Sequence, residues 1–216
     1  CLEFLDIPVL NKFEVANICG NKMFMTLLLK KNNIPTPKTY FSFSGESAAE
    51  NLEKVGYPLV IKPVIGSWGR GVMPIKDKDT MDAVLEIRNI TDSPHDRIYY
   101  LQELIKRPPR DIRVITIGDE PIAAMYRKSS GGFKTNIALG ADPELCEITK
   151  EIEDMAVKAS KAMGGGILGI DMMEGDERGL VVHEVNNTVE FKGLARVAER
   201  NIPKEMIKFA LNYVRK

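Results

Sequence analysis

Two hydrophobic periods alternate along this chain of 216 residues. Some segments repeat apolar side chains at helical spacing, and others are short apolar runs bounded by glycine, proline or polar residues. Helices are expected at residues 11–19, 21–33, 80–89, 147–163 and 203–215, with another that Ser44 or Ser47 caps and that ends at Val55. Strands are expected at residues 39–43, 57–63, 72–75, 98–101, 110–117, 120–126, 166–172 and 179–185. This mixture favours an α/β (α+β) fold.

Composition narrows the classes of function. The 30 basic and 30 acidic side chains cancel, so the broad electrostatic attraction of a nucleic-acid binder is not expected. The apolar runs fall far short of the ~20 residues that span a bilayer, so no membrane span is expected. Cys1, Cys19 and Cys146 lack metal-ligand spacing and are typical of free thiols in a reducing cytoplasm. His95 and His183, the two histidines, have no nucleophile motif around them, which disfavours zinc and serine–histidine chemistry.

The start of the chain reads as the continuation of an earlier segment. Cys1 is not an initiator methionine, no signal peptide follows it, and residues 7–11 are expected to form a strand. We therefore expect residues 1–19 to be the tail of an N-terminal domain that is missing from this sequence.

Three oxygen-bearing side chains near the ends of two successive strands form a candidate metal site. If the two strands pair as a hairpin, Asp171 lies opposite the region of Glu184 and Asn186, and strand alternation places the latter two on one face. Two carboxylates and an amide suit Mg²⁺ that is completed by water and phosphate oxygens. Any one of these residues alone would fit a salt bridge or structural hydrogen bond better, but the three together indicate a metal site.

Lys62 stands out because it ends an apolar strand just before Pro63. A lysine there needs a counter-charge, and a nucleotide phosphate is one candidate. The loop that follows is glycine-rich and runs Gly66, Ser67, Trp68, Gly69, Arg70 and Gly71. Its backbone N–H groups can approach phosphate oxygens, and Trp68 and Arg70 can close over a ligand. The loop is not a Walker motif, and a flexible hairpin tip explains it equally well.

A second group of charged residues lies on the hairpin around Gly118-Asp119. Strand period puts Asp111 and Arg113 on one face, and Arg127 ends the companion strand. Structural salt bridges are the default explanation, but paired arginine donors also hold phosphates and carboxylates. Thr135 and Asn136, in the polar loop that follows, are candidates for neutral hydrogen bonds.

The order of these pieces resembles the ATP-grasp superfamily. The matching segments are VIKP at 60–63 with the glycine-rich loop, QELI at 102–105, RDIRV at 110–114, TN at 135–136, GID at 169–171 and HEVNN at 183–187. The loop sequence GSWGR and the segment EVNNTVEFK at 184–192 resemble, more closely, the LysX-type ligases of the RimK-like branch. Other RimK-like ligases usually continue differently after EVN.

The resemblance implies an ATP-grasp fold in which two α/β subdomains hold the nucleotide, a lid at residues 20–101 and a C-terminal subdomain with the metal site at residues 102–216. ATP and Mg²⁺ are the implied cofactors. The implied roles are phosphate contacts for Lys22, Lys62, Gly66, Ser67, Trp68 and Gly69, adenine contacts for Glu103 and Leu104, and a ribose contact for Asp111. Arg113, Arg127 and Asn136 would surround the phosphoryl-transfer region, and Asp171, Glu184 and Asn186 would hold Mg²⁺. The loop after Asn136 departs from the family pattern at Leu139 and Ala141, with an effect that the sequence leaves open.

The implied reaction joins a carboxylate to an amine. ATP would phosphorylate the γ-carboxylate of the C-terminal glutamate of a small acidic LysW-like carrier protein, and the α-amine of 2-aminoadipate or glutamate would attack the acyl phosphate, in lysine or also arginine biosynthesis. Lys192, Arg196 and Arg200 form a candidate contact for the carrier, or a solvated helix face. A cytoplasmic homo-oligomer is expected.

Two alternatives stay open. One is a RimK-like glutamate ligase for a ribosomal protein or for a pterin or deazaflavin cofactor, and the other is a non-catalytic nucleotide-binding module.

Overall fold

Two antiparallel sheets make up the framework of the protein, whose computed structural model describes residues 1–91, 93–128 and 143–215. The first sheet has the order β1-β4-β2-β3 and contains β1 (Thr39–Ser42), β2 (Leu59–Lys62), β3 (Met73–Ile75) and β4 (Tyr99–Glu103). The second has the order β7-β6-β5-β8-β9 and contains β5 (Arg110–Ile117), β6 (Glu120–Lys128), β7 (Pro143–Leu145), β8 (Ile167–Gly175) and β9 (Gly179–Asn186).

Six α-helices lie within the described residues: α1 (Phe13–Gly20), α2 (Lys22–Lys31), α3 (Gly45–Val55), α4 (Lys78–Asn89), α5 (Lys150–Met163) and α6 (Ile202–Tyr213). Polar N-caps start most of them: the Asn21 side chain accepts from the backbone N–H groups of Met23 and Phe24, and Ser44 accepts from Ser47 N–H. All six predicted helices are confirmed to within three residues at each end.

The prediction of a strand at residues 7–11 is wrong. That segment pairs with no strand among the described residues, and its end is fixed by a side chain. The Asn11 amide donates to the carbonyl oxygens of Ile167 (2.8 Å) and Asn187 (3.0 Å) and accepts from Ile167 N–H (2.7 Å). The three-residue strand β7 was missed because it is too short to show a period.

Helices cover one face of each sheet, and α6 packs on part of the opposite face of the second sheet, near Ile115 and Ile117. Helices α3 and α4 cover the first sheet, where Leu52 and Met81 pack with Ile61. Helices α1, α2 and α5 cover the second sheet, where Leu29 packs with Val185 and neighbouring residues. Helices α1 and α2 therefore belong to the core of the second sheet although they precede the first, and the subdomain bounds given above stay a prediction.

Outside the area that α6 covers, the remaining faces carry the polar residues. Burial of the apolar side chains on the helix-covered faces leaves the alternate strand positions, including Lys62 on β2 and Asp171 on β8, for the opposite faces. These faces line a shared cavity. Within the described residues, no helix is both long and apolar enough to cross a membrane.

Candidate functional site

The cavity between the sheets has a volume of about 870 Å³. Every predicted site residue that lies within the described residues lines it: Lys22, Lys62, Gly66, Ser67, Trp68, Gly69, Glu103, Leu104, Asp111, Arg113, Arg127, Asp171, Glu184 and Asn186. Asn136, Thr135, Leu139 and Ala141 fall outside the described residues. The structure thus brings together side chains that the sequence spreads over about 165 positions, while their individual roles stay predictions.

A row of charged side chains crosses three strands of the second sheet. Arg113 on β5 lies opposite Asp171 on β8, and Asp171 lies opposite Glu184 on β9. Arg113 binds Asp171 with two hydrogen bonds, from Nε to Oδ1 (2.7 Å) and from Nη2 to Oδ2 (2.6 Å). This parallel pairing fixes both the position and the plane of the carboxylate.

Arg127 forms the second, more deeply buried ion pair of the site. Its Nε and Nη2 donate to the two carboxylate oxygens of Asp111 at 2.6 and 2.9 Å, and Nη2 lies 3.1 Å from Asp171 Oδ2. Burial alone would raise the pKa of Asp171, but the guanidinium groups of Arg113 and Arg127 hold it well below its usual range. Asp171 is therefore ionised at neutral pH and shared between two cations.

Lys22 joins the glycine-rich loop to the candidate metal site. Its Nζ donates to the carbonyl oxygen of Gly66 (2.8 Å) and lies 3.0 Å from Glu184 Oε1. Its backbone N–H donates to the carbonyl oxygen of Val64 (2.9 Å). Lys22 thus anchors the start of the glycine-rich loop through both its backbone N–H and its side chain.

Lys62 is buried at the end of β2, and its Nζ donates to Gln102 Oε1 at 2.6 Å. Burial lowers its pKa to about 8, although the nearby Glu184 carboxylate counteracts part of this shift. A buried ammonium with a neutral amide as its close partner is well suited to gain an anionic ligand.

The oxygen donors of the site fit a hard divalent cation. Asp171 and Glu184 are cross-strand neighbours, and Asn186 follows on the same face with its amide 3.3 Å from Asp171 Oδ2. Within the described residues, no three side chains of the Asp, Glu, His and Cys types form a metal site by themselves. The set therefore needs the amide of Asn186 and ligands from phosphate or water, which is typical of Mg²⁺.

Glu103 is placed as predicted, but its side chain is already used. Its carboxylate accepts from the backbone N–H of Lys38 (2.9 Å) and lies 3.0 Å from Nη2 of Arg178. Its own backbone N–H donates to the carbonyl oxygen of Lys38 (2.9 Å). An adenine contact in this region would therefore use the backbone that continues into Leu104 rather than the Glu103 carboxylate.

The glycine-rich loop forms the edge of the cavity. Trp68 is 59% exposed and has a positive φ of 62°, and Gly69 follows with φ 65°. A Cβ at Gly66 would lie 3.0 Å from Cγ of Pro63, so the absence of a side chain allows the loop to pack closely on the strand end. This leaves a bulky aromatic side chain at the rim, where it can fold over a ligand.

Sequence periodicity missed His183. The ladder pairs Asp171 with Glu184 but Met172 with Val182, so His183 is the extra residue of a β-bulge. The bulge turns both His183 and Glu184 towards the cavity, where strict alternation would have separated them. Neither ring nitrogen has a hydrogen-bond partner among the described residues, and burial lowers the pKa of the ring well below its usual value.

The three basic residues predicted to contact the carrier do not lie together at one surface. Lys192 and Arg196 line the cavity, whereas Arg200 pairs with Glu120 and Glu205. The charge of Arg200 is therefore largely compensated within the protein, and the two cations at the cavity are the better candidates for an anionic partner.

The sequence of the chain matches a known family of proteins. The model of the RimK-like ATP-grasp domain matches residues 19–210. Over 215 residues the chain is 40% identical to the alpha-aminoadipate–LysW ligase LysX of Saccharolobus solfataricus. The match covers 100% of this chain and 78% of the relative. It is 36% identical to the tetrahydromethanopterin:alpha-L-glutamate ligase of Methanocaldococcus jannaschii, over 99% of this chain and 74% of the relative.

Solved structures agree on the fold. The D-alanine–D-alanine ligase of Bacillus anthracis, solved with ATP, superimposes with a TM-score of 0.73 at 22% identity, over 99% of this chain and 74% of that chain. Both the domain match and the 40% identity extend over nearly the whole sequence. The chain belongs to the RimK-like ATP-grasp family of ligases.

Proposed function

We propose that this chain is an ATP- and Mg²⁺-dependent ligase that joins a small acidic LysW-type carrier protein to 2-aminoadipate in lysine biosynthesis. ATP phosphorylates the γ-carboxylate of the carrier's C-terminal glutamate, and the α-amine of the amino acid displaces phosphate to form an amide. Glutamate is the second candidate acceptor, which would place the reaction in arginine biosynthesis. We expect the reaction to take place in the cytoplasm.

The observation that carries the proposal is the convergence of Lys22, Lys62, Arg113 and Arg127 on one cavity beside the oxygen donors of β8 and β9. Phosphoryl transfer leaves little covalent chemistry to the protein, so alignment and charge neutralisation supply most of the rate. Mg²⁺, when bound, neutralises phosphate oxygens and orients them. Asp171, Glu184 and Asn186 would hold it.

The protein's own cations have separate tasks in this proposal. Lys22 on α2 and Lys62 on the first sheet bind phosphate oxygens. Arg113 and Arg127 approach the ligand from the second sheet. The arginines are already fixed by Asp111 and Asp171 and therefore lose little side-chain entropy on binding. They stabilise the negative charge that spreads over the transferred group.

The choice of a LysW-type carrier rests on the segment that follows the metal strand. Residues 184–192, EVNNTVEFK, resemble the LysX-type ligases in sequence, and Asn187, Thr188, Glu190 and Lys192 line the cavity. The relative of Saccharolobus solfataricus is named for its action on LysW and alpha-aminoadipate. The segment therefore has both the location and the sequence expected of a substrate-contacting element.

A glutamate ligase for a pterin cofactor is the second candidate, favoured by the 36% identity to the tetrahydromethanopterin:alpha-L-glutamate ligase. The deciding experiment measures ADP release with purified carrier protein, or tetrahydromethanopterin, together with aminoadipate or glutamate. We expect release to depend on the carrier and on aminoadipate. Release that follows the pterin and glutamate instead would overturn the proposal, and ADP formation unchanged in Glu184→Gln would favour a non-catalytic role for the site.

A further inference from the structure

Three polar side chains, Thr39, Tyr100 and Gln102, share the cavity-side face of the first sheet with Lys62. The register places Thr39 opposite Gln102 and Tyr100 opposite Lys62 on neighbouring strands. Gln102 accepts the hydrogen bond from Lys62, and Thr26 on α2 approaches Tyr100 from outside the sheet. Thr26, Thr39, Tyr100 and Gln102 are between 0% and 7% exposed, so each bond is shielded from water.

The orientation of the Gln102 amide follows from its partners. Thr39 Oγ1 donates its one proton to the carbonyl oxygen of Pro37 (2.9 Å), so towards Gln102 this hydroxyl can only accept. The amide group at 3.1 Å from it must therefore be the NH₂ of Gln102, which leaves Oε1 facing Lys62 at 2.6 Å. A flipped amide would set its NH₂ against the Lys62 ammonium.

Tyr100 extends the same chain of bonds to α2. Gln102 Nε2 donates its other hydrogen to the Tyr100 hydroxyl (2.9 Å), so the proton of that hydroxyl is available for Thr26 Oγ1 (2.8 Å). Thr26 lies one helical turn after Lys22 on α2. The network thus ends on the helix that carries Lys22, which also lines the cavity.

We propose that Thr39, Tyr100 and Gln102 are positioning residues that hold the Lys62 ammonium in place relative to Lys22, so that both lysines meet the same phosphate-bearing ligand. This inference rests on the proposed function insofar as Lys62 contacts that ligand. Of the three, only Gln102 is among the residues that line the cavity. Thr39 and Tyr100 act on the ligand through Gln102 and Lys62.

The test measures the dissociation constant of Mg²⁺-ATP by calorimetry in matched variants of the full chain. Thr39→Val keeps the shape of the side chain but removes the hydroxyl, and Thr39→Ser keeps the hydroxyl. We expect Thr39→Val, which removes a neutral hydrogen bond to Gln102, to weaken binding by up to about tenfold, and Thr39→Ser to stay near the wild type.

A double-mutant cycle separates positioning from general structure. In a Lys62→Met background, Thr39→Val should not weaken binding further, while its effect on the melting temperature should be the same in both backgrounds. An equal loss of affinity with and without Lys62 would overturn the inference and leave the proposed function intact. Unchanged affinity in Lys62→Met itself would overturn the inference together with the phosphate role of Lys62.

Tyr100→Phe provides a second entry to the network should Thr39→Val fold poorly. It keeps the edge-to-face ring contact with Phe41 (centroids 5.4 Å apart) and removes only the hydroxyl. We expect a smaller loss of affinity in the same direction, again absent in the Lys62→Met background. A loss that persists without Lys62 would count against the inference.

Discussion

Lys22 Nζ lies 3.0 Å from Glu184 Oε1, although the two residues are 162 positions apart in the chain. The same ammonium donates to the carbonyl oxygen of Gly66 at 2.8 Å. One side chain therefore connects α2, the glycine-rich loop and the strand that bears the candidate metal ligands. Lys22 neutralises Glu184, and this ion pair would be replaced if the carboxylate bound Mg²⁺ and the ammonium bound phosphate.

Replacing Lys22 by methionine should lower kcat/KM for ATP by about 10²–10³-fold, the usual cost of removing one group that stabilises transition-state charge. The loop also loses its side-chain anchor at Gly66, so KM for ATP should rise. The measurement is steady-state ADP release with carrier protein and aminoadipate. Lys30→Met, on the exposed last turn of the same helix, is the matched control. Equal kinetics in the two variants would exclude the phosphate role.

Arg127 should be the most stabilising cation of the site. Arg127→Met removes one ion-pair contact from each of the buried carboxylates of Asp111 and Asp171, and breaking a buried pair in this way typically costs about 3–5 kcal/mol of unfolding free energy. Urea titration gives the value. Lys128→Met, next in sequence, breaks a surface pair with Glu144 and should cost at most about 1 kcal/mol. A similar loss in both variants would show that burial of the Arg127 pair adds no stability.

The geometry of the second sheet was largely predictable from strand period. Alternation placed Asp111 and Arg113 on one face, and hairpin pairing placed Asp171 opposite the region of Glu184 and Asn186. The register confirms both and pairs Asp171 with Glu184. This worked because apolar residues occupy the other face, so a one-residue slip would expose them. The salt bridge between Arg113 and Asp171 follows from the same register, because the two residues lie opposite each other on neighbouring strands.

Other parts of the site depend on relations that no local pattern contains. The bulge at His183 adds one residue to a ladder, and its flanking sequence shows no glycine or proline to mark it. The bonds of Gln102 reach Thr39, 63 positions away, and Lys62, 40 positions away. Packing of α2 on the second sheet likewise depends on distant residues, so chain order alone does not predict it.

Binding of Mg²⁺-ATP should take up a proton at alkaline pH. Burial lowers the pKa of Lys62 to about 8, so at pH 9 most of the free protein carries a neutral amine. A bound phosphate favours the charged form and raises this pKa, and a raised pKa on binding means that protons are absorbed between the free and bound values. Calorimetry in two buffers of different ionisation enthalpy, at pH 7 and pH 9, measures the uptake.

We expect little uptake from Lys62 at pH 7, where it is already protonated, and a clear uptake at pH 9 that disappears in Lys62→Met. Affinity of the wild type should fall across the same interval. If the uptake at pH 9 is the same in Lys62→Met, another group is responsible, and the role of Lys62 as the titrating phosphate contact is rejected.

His183 should contribute to the binding of Mg²⁺-ATP but not to the stability of the free protein. Its two buried ring nitrogens have no partner among the described residues, which typically costs about 1–3 kcal/mol for each unsatisfied group. His183→Leu removes these groups and should therefore leave the unfolding free energy unchanged or raise it.

If the imidazole bonds to the ligand, the same variant should weaken Mg²⁺-ATP binding by about tenfold. His183→Gln, which keeps a donor and an acceptor, should recover part of the affinity without the gain in stability. Urea titration and calorimetry on the three proteins distinguish this from a packing role, since a residue that only fills space would lose stability in the glutamine variant and keep its affinity in the leucine variant.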